Sequence, residues 1–365
     1  MQNSNNYRFQ RVVIKVGSNV LTKKNGSLNT SRIQALVEQI ASLHKDGIEI
    51  ILVSSGAVAS GRSVIKLEGE IEAVSARQLF STIGQALLIN HYYELFQQHG
   101  IICGQVLTTK EGLDTRRHHL NQKNCMTVML ANKVIPIVNE NDAISVTELM
   151  FTDNDELSGL VAIMMHADAL IILSNVDGIY NGDPKDKASE VIRKIDPEKG
   201  GLEQYIQTEK SSFGRGGMLT KTNIARKVAE AGITTIIARG DRNRILTSLL
   251  NVRNSRKFSE FVASERKAFN MNNWRARSDG FAKGEVHINE DTEEALACSK
   301  AASVLPTGVT RIAGEFEKDD IVRIINSQGL QIGIGRVRFD SVKAADLIGK
   351  RGNKALIHYD YLYLE

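Results

Sequence analysis

A chain of 365 residues is too long for one ordinary hydrophobic core and calls for two domains or three. Its 42% hydrophobic and 24% charged residues are those of a globular protein, and no apolar run approaches the roughly 20 residues of a membrane helix. A formal net charge of +4 is too small to demand a nucleic-acid partner, and the spacing of Cys103, Cys125 and Cys298 offers neither a disulfide framework nor a zinc site. The polar amino terminus MQNSNNYRFQ lacks the apolar core of a secretory signal, so a cytoplasmic location is expected.

In chain order, apolar runs of strand length alternate with segments of helical period through about residue 240. The strands expected are 12–16 (VVIKV), 48–53, 101–107, 134–138, 169–173 and 233–238. That alternation predicts an α/β fold, an open and mostly parallel sheet sandwiched by helices. Between the first two strands a helix is expected, with Ser31 and Gln34 as a capping box, Ile33, Leu36, Val37, Ile40 and Leu43 on one face, and Gly47 as its stop. From about Gly280 the pattern changes to short β segments separated by Gly, Asp and Asn turns (GEVHIN, VTRIAG, DIVRIIN, LQIGIGRVRF), which predicts a small β-rich domain. The boundaries read from these shifts are a first domain over 1–255, a linker over 256–280 and a second domain over 281–365.

The first strand raises the question of function. Lys15 interrupts VVIKV just before Gly17, and a buried ammonium is costly unless an anion or carboxylate meets it. In an open parallel sheet, ligands bind beyond the carboxyl ends of the strands. The segments found there are GSN (17–19), SSGA (54–57), NENDA (139–143) and SNVDG (174–178), all small, polar or acidic. Glycine turns of this kind suit phosphate, although neither GSN nor SSGA is a Walker A loop. FTDNDELSG (151–159) sets Asp153, Asn154 and Asp155 before a helix. In SSFGRGGMLTK (211–221) a glycine run leads to a helix expected to begin near Thr220, with Lys221 opposing its dipole unless an anion is close.

Taken together, VIKVGSNVLT, VSSGAVASGR, PIVNENDAIS, DNDELS and GGMLTK, in that order, resemble the amino acid kinase family over nearly the whole chain, and the carboxy-terminal segment is similar to a PUA domain. Within that family the resemblance is to members that phosphorylate free glutamate at the start of proline synthesis. It implies a phosphotransferase with a carboxyl group as acceptor, moving the γ-phosphoryl group of ATP to the side-chain carboxylate of L-glutamate. By the family pattern Lys15, Lys221 and Asp155 are catalytic, with Asp155 holding both lysines. ATP would meet Lys15, Gly17, Ser174, Asn175 and the run Arg215, Gly216, Gly217, Met218, Leu219, Thr220 and Lys221. Glutamate would meet Ser55, Gly56, Asn139, Asn154 and Asp142, the last as partner of the α-ammonium. A carboxylate acceptor is already ionised at neutral pH, so no general base is required.

The resemblance also implies Mg2+ with ATP, its protein ligands undetermined, with Asp153 and Asp155 as candidates beside water and phosphate, inhibition by L-proline, and a homo-oligomer, dimer or tetramer. The polar stretch 108–124 is expected as a flap or subunit contact, with Glu111 and Asp114 its acids and His118 and His119 outside the chemistry. Two departures stand out: Ser174-Asn175 where the family often has Thr-Asp, and MNNWRARSDGFAKGE where a shorter arginine-rich segment is expected. Residues 323–354 carry seven basic side chains against two acids. That excess is read as a solvated face without interleaved aromatics rather than an RNA footprint, so the second domain is expected to be structural or regulatory.

Overall fold

The structure is a computed structural model that describes residues 7–23, 26–66, 69, 71–109, 113, 116–144, 154–183, 186, 188–198, 217–251, 257–264, 282–298, 302–318 and 320–364. The chain forms two compact units, one of 1–113 with 120–268, the other of 269–365 with 114–119.

The first unit is built on one sheet. Its strands are β1 (Arg11–Val16), β2 (Glu49–Ser54), β3 (Cys103–Thr108), β4 (Ile135–Glu140), β5 (Ala169–Ser174), β6 (Lys194–Ile195), β7 (Thr234–Arg239) and β8 (Ser259–Phe261). They run in the order β3-β4-β2-β1-β5-β7-β8-β6, all pairs parallel except β7 with β8. Every residue of β4 and β5 is buried, as continuous Val, Ile and Leu runs require when helices cover both faces. β1 pairs with β2 on one side and β5 on the other, with Lys15 opposite Val53 and Ile172. The chain therefore leaves β1 in both directions, which makes its carboxyl end the switch point where α/β sheets bind ligands.

Helices then carry the loops. A short α1 (Ser18–Leu21) follows β1, and α2 (Thr30–Lys45) buries Ile33, Leu36, Val37, Ile40 and Leu43 as expected. Its cap differs from the expected Ser31–Gln34 box. The side chain of Asn29 accepts from the Arg32 amide, while Gln34 turns to Glu38. Next come α3 (Ala57–Arg62), α4 (Ala73–Gln97), α5 (Arg116–Ala131), α6 (Asn154–Met164), α7 (Met218–Glu230) and α8 (Ile245–Leu250). Gly56 begins α3 at φ 109°, a conformation that glycine adopts without Cβ strain. Behind it, α3 and α4 meet backbone to backbone: a Cβ on Gly84 would stand 1.7 Å from the Ala57 carbonyl, and one on Gly61 1.9 Å from that of Phe80. Along α4, Arg77, Gln78 and Gln85 meet Asp142, Ala143 and Asn139 at the end of β4 and in the loop that follows it.

The expected strands are present with shifted ends, and β6 and β8 add an edge that sequence periodicity did not show. Helix α7 begins at Met218, with Gly217 as its cap, rather than near Thr220. Much of the stretch expected as a flap belongs to α5, whereas Glu111 and Asp114 lie outside the described residues. Most of the expected linker also lies outside them.

The second unit has a five-stranded sheet of β9 (Ala282–Ile288), β10 (Val309–Ala313), β11 (Ile321–Ile325), β12 (Gln331–Val337) and β13 (Ile357–Leu364), ordered β10-β9-β11-β12-β13. Among the described residues, helices α9 (Glu290–Cys298) and α10 (Ser341–Leu347) accompany it, around a core that includes Val286, Val322, Ile324, Val337 and Ile357.

Candidate active site

Lys15 is the second-to-last residue of β1, and its side chain is 5% exposed. Its ammonium stands 2.5 Å from Oδ1 of Asp155, whose side chain is fully buried. The Lys221 ammonium donates to Oδ2 of the same carboxylate at 2.7 Å. One carboxylate thus clamps two lysines delivered by a strand and a helix. Asp155 sits in the first turn of α6, where the helix dipole favours an anion. Lys221 sits in the first turn of α7, where the dipole opposes a cation, and Asp155 supplies the compensating charge. Two ammoniums on one carboxylate leave a net positive charge, which is a site for a further anion.

Gly17 keeps that site approachable. Its amide donates to the Leu173 carbonyl at 3.3 Å, and a Cβ there would come within 3.6 Å of the Lys15 ammonium. On the β5 side, Ser174 is buried and Asn175 exposed, with the Ser174 hydroxyl donating to Asn175 Oδ1 at 3.3 Å. Gly217, Met218, Leu219, Thr220 and Lys221 form the cap and first turn of α7, fixed in place by the Lys221–Asp155 pair. Arg215, Gly216 and Asp153 lie outside the described residues.

On the other side of β1 the structure gathers the residues expected to hold an acceptor. The Asn154 amide group faces Ser55 Oγ at 3.0 Å, Asn139 Oδ1 at 2.9 Å and the Ser54 carbonyl at 3.3 Å. Asn139 in turn donates to Gln85 Oε1 at 2.7 Å. Below them, Ser54 Oγ shares a hydrogen bond of 2.9 Å with the Tyr92 hydroxyl, whose pKa burial pushes up to about 12. Beside this network opens a cleft of about 250 Å3, lined in part by Ala57, Ser81, Gln85, Glu140 and Asp142.

Asp142 is not alone at the cleft. Nε and Nη2 of Arg77 both donate to its Oδ1, at 3.1 and 2.7 Å, and Nη2 lies 3.8 Å from Glu140. Sequence reasoning missed Arg77, Gln85 and the part played by Glu140. The signal was present in α4, where Arg77, Ser81 and Gln85 recur every four residues and so share one face.

The second unit has a cleft of its own, of about 530 Å3, lined by Lys318, Arg336, Arg338, Lys343 and Lys354 together with Phe339, His358 and Tyr361. The Arg336 guanidinium lies 3.8 Å from the centre of the Tyr361 ring. The expectation of a basic face without aromatics is therefore corrected. Phe339 stands within the basic segment itself, and pairing of β12 with β13 brings a second aromatic set beside it.

A buried lysine clamp at the switch point of a parallel sheet, with an amide-rich pocket beside it, can hold an anionic ligand next to a polar one, and the comparisons identify the class of protein. Residues 10–239 match the amino acid kinase family and residues 284–358 the PUA domain. The chain belongs to the amino acid kinase family and carries a PUA domain after the kinase fold. It is 62% identical over 357 residues to a protein of Bacteroides thetaiotaomicron named glutamate 5-kinase, covering 98% of this chain and 99% of that relative. A glutamate 5-kinase of Chlorobaculum tepidum is 45% identical over 357 residues, 98% of each chain. Carbamate kinase of Giardia lamblia, solved bound to AMP-PNP, shares the fold with a TM-score of 0.50 at 17% identity over 70% of this chain and 99% of its own.

Proposed function

We propose that this protein transfers the γ-phosphoryl group of ATP to the side-chain carboxylate of L-glutamate, giving L-glutamyl 5-phosphate, the first step of proline synthesis. The observation that carries the reading is the Lys15–Asp155–Lys221 clamp immediately beside the Asn154, Ser55 and Asn139 network. Relatives at 62% and 45% identity that bear this activity in their names support the choice of acceptor.

Phosphoryl transfer asks the protein mainly to align the reacting groups and stabilise spread charge. Lys15 and Lys221, oriented by Asp155, would receive the β- and γ-phosphate oxygens. The Gly17 amide is already given to the Leu173 carbonyl, so the amides of Gly56 and of Gly217 to Thr220 would add donors, while Ser174 and Asn175 flank the nucleotide. The carboxylate of glutamate would enter from the β2 and β4 side, guided by Ser55, Asn139 and Asn154, with its α-ammonium on Asp142. No base is needed, because the nucleophile is already an anion.

Mg2+ accompanies ATP in this scheme and shields phosphate charge. The described carboxylates do not fit a protein-held ion: Asp155 carries a lysine on each oxygen and Asp142 an arginine, and no group of three His, Cys, Asp or Glu gathers among the described residues. Phosphate oxygens and water would supply most of its ligands, Asp153 lying outside the described residues.

The reading extends to feedback inhibition by L-proline, to assembly as a dimer or tetramer, and to a cytoplasmic location. Its support is the family resemblance, together with the absence of any described helix long and apolar enough to cross a membrane. The second unit is assigned a structural or regulatory role. Retardation of tRNA that survives 150 mM salt and vanishes in Arg338→Glu would replace that assignment with RNA binding.

Trapping the acyl phosphate with hydroxylamine tests the reaction. With ATP and magnesium, hydroxamate is expected from glutamate and not from aspartate or N-acetylglutamate. Product from either of those in place of glutamate overturns the acceptor assignment.

A further inference from the structure

We propose that Arg77 is the specificity-determining residue for the acceptor, gripping the α-carboxylate of the amino acid while Asp142 and Glu140 hold its α-ammonium. The inference rests on the glutamate reading above, which leaves one charge of the substrate unmatched. Glutamate carries a side-chain carboxylate that reacts, an α-ammonium and an α-carboxylate. Lys15 and Lys221 are both committed to Asp155 and the phosphoryl end. The described lining of the acceptor cleft contains two carboxylates, Glu140 and Asp142, and no cation.

Arg77 meets that lack. It precedes Ser81 by one turn on the α4 face that lines the cleft, and its guanidinium lies on Asp142 with its side chain 28% exposed. Two nearly buried carboxylates meet one guanidinium here, so a zwitterionic head group finds an opposite charge for each of its own ends. In the geometry seen, Nε and Nη2 converge on a single oxygen of Asp142. A guanidinium has five N–H donors, so a second carboxylate can be taken while that contact is kept. The arrangement reads ammonium and carboxylate together, so it favours a free amino acid over a dicarboxylate or a simple amine.

The test uses glutamate and 4-aminobutyrate, the same carbon chain without the α-carboxylate, with 4-aminobutyrate assayed as a competitive inhibitor against glutamate. For Arg77→Met we expect KM for glutamate to rise at least 100-fold, with the loss falling mainly in KM rather than kcat. KI for 4-aminobutyrate should stay within threefold, and KM for ATP likewise. Arg77→Lys should recover part of the loss for glutamate alone, and provides the same comparison if the methionine variant folds poorly. A parallel loss for both ligands, or a glutamate KM within threefold of wild type, would show that Arg77 only tethers the loop and would overturn the proposal. Failure of the wild-type enzyme to make hydroxamate from glutamate is a different result, and overturns the acceptor assignment itself.

Discussion

Asn154 and Asp155 are neighbours on the first turn of α6, yet they serve opposite flanks of the site. Asn154 reaches Ser55 and Asn139 on the β2 and β4 side, whereas Asp155 takes Lys15 and Lys221. One peptide bond therefore couples the Asn139–Ser55 network, the proposed acceptor pocket, to the lysine pair, the proposed phosphoryl clamp. Mutations at the two positions should separate into acceptor effects and transfer effects.

For the clamp, Lys15→Met and Lys221→Met should each lower kcat by about 100- to 1000-fold, the loss expected when one preorganised donor to a developing charge is removed. Circular dichroism should show both variants folded, since Asp155 keeps one lysine. Near-normal turnover in either would refute a two-lysine mechanism.

Asp155→Ala should behave differently, because it strands two buried ammoniums beside each other. Breaking a buried ion pair by removing one partner costs about 3–5 kcal/mol, so a large fall in melting temperature is expected. ATP should raise the melting temperature of this variant by more than it raises that of the wild type, since its phosphates replace the missing charge. Equal ligand shifts would argue that the lysines do not meet the nucleotide.

Asn154→Ala should raise KM for glutamate by about 10- to 100-fold, the cost of leaving the Asn139 and Ser55 oxygens without their donor. Steady-state kinetics with ATP varied should show little change in KM for the nucleotide. Comparable effects on both substrates would mean that α6 as a whole has moved.

Gly84→Ala should destabilise the protein by about 2 kcal/mol or more, since the new methyl meets the Ala57 carbonyl at 1.7 Å and two helix backbones must part. Denaturant unfolding measures it. Because α3 begins at the Ser55-Gly56 loop, turnover should fall along with stability.

His44 and His166 both have their pKa lowered from 6.5, in each case first by burial, and for His166 also by the charges of Lys123 and Arg11. A base depressed in the fold binds protons more readily when unfolded. Stability is therefore full above about pH 6.5 and declines as pH falls below it. Melting curves between pH 7.5 and 5.5 should show this decline, and the His44→Gln, His166→Gln double variant should show a shallower one.

Much of this was legible in the sequence because both strong signals are local. Runs such as VVIKV and ALIIL announce a doubly covered parallel sheet, and the odd residue in the first run, Lys15, leads directly to the site. Asn139, Asn154 and Asp155 were equally visible, since polar residues packed behind an apolar strand need a use. Arg77 and Gln85 were hidden because their meaning depends on the close approach of α3 and α4, which two glycines far apart in the chain permit. Likewise Tyr361 and His358 come beside the basic segment only through strand pairing at the carboxyl end.

The strand order has a consequence for how such a site can change. In the proposed reading, acceptor contacts would come from β2, β4 and α4, on one flank of β1, and phosphoryl contacts from β1 itself, the first turn of α6 and α7. A new acceptor can then be admitted by altering the loops on one flank, leaving the machinery that handles the nucleotide intact. For protein engineering this defines a bounded region to randomise: the face of α4 and the loops after β2 and β4, with both lysines held constant.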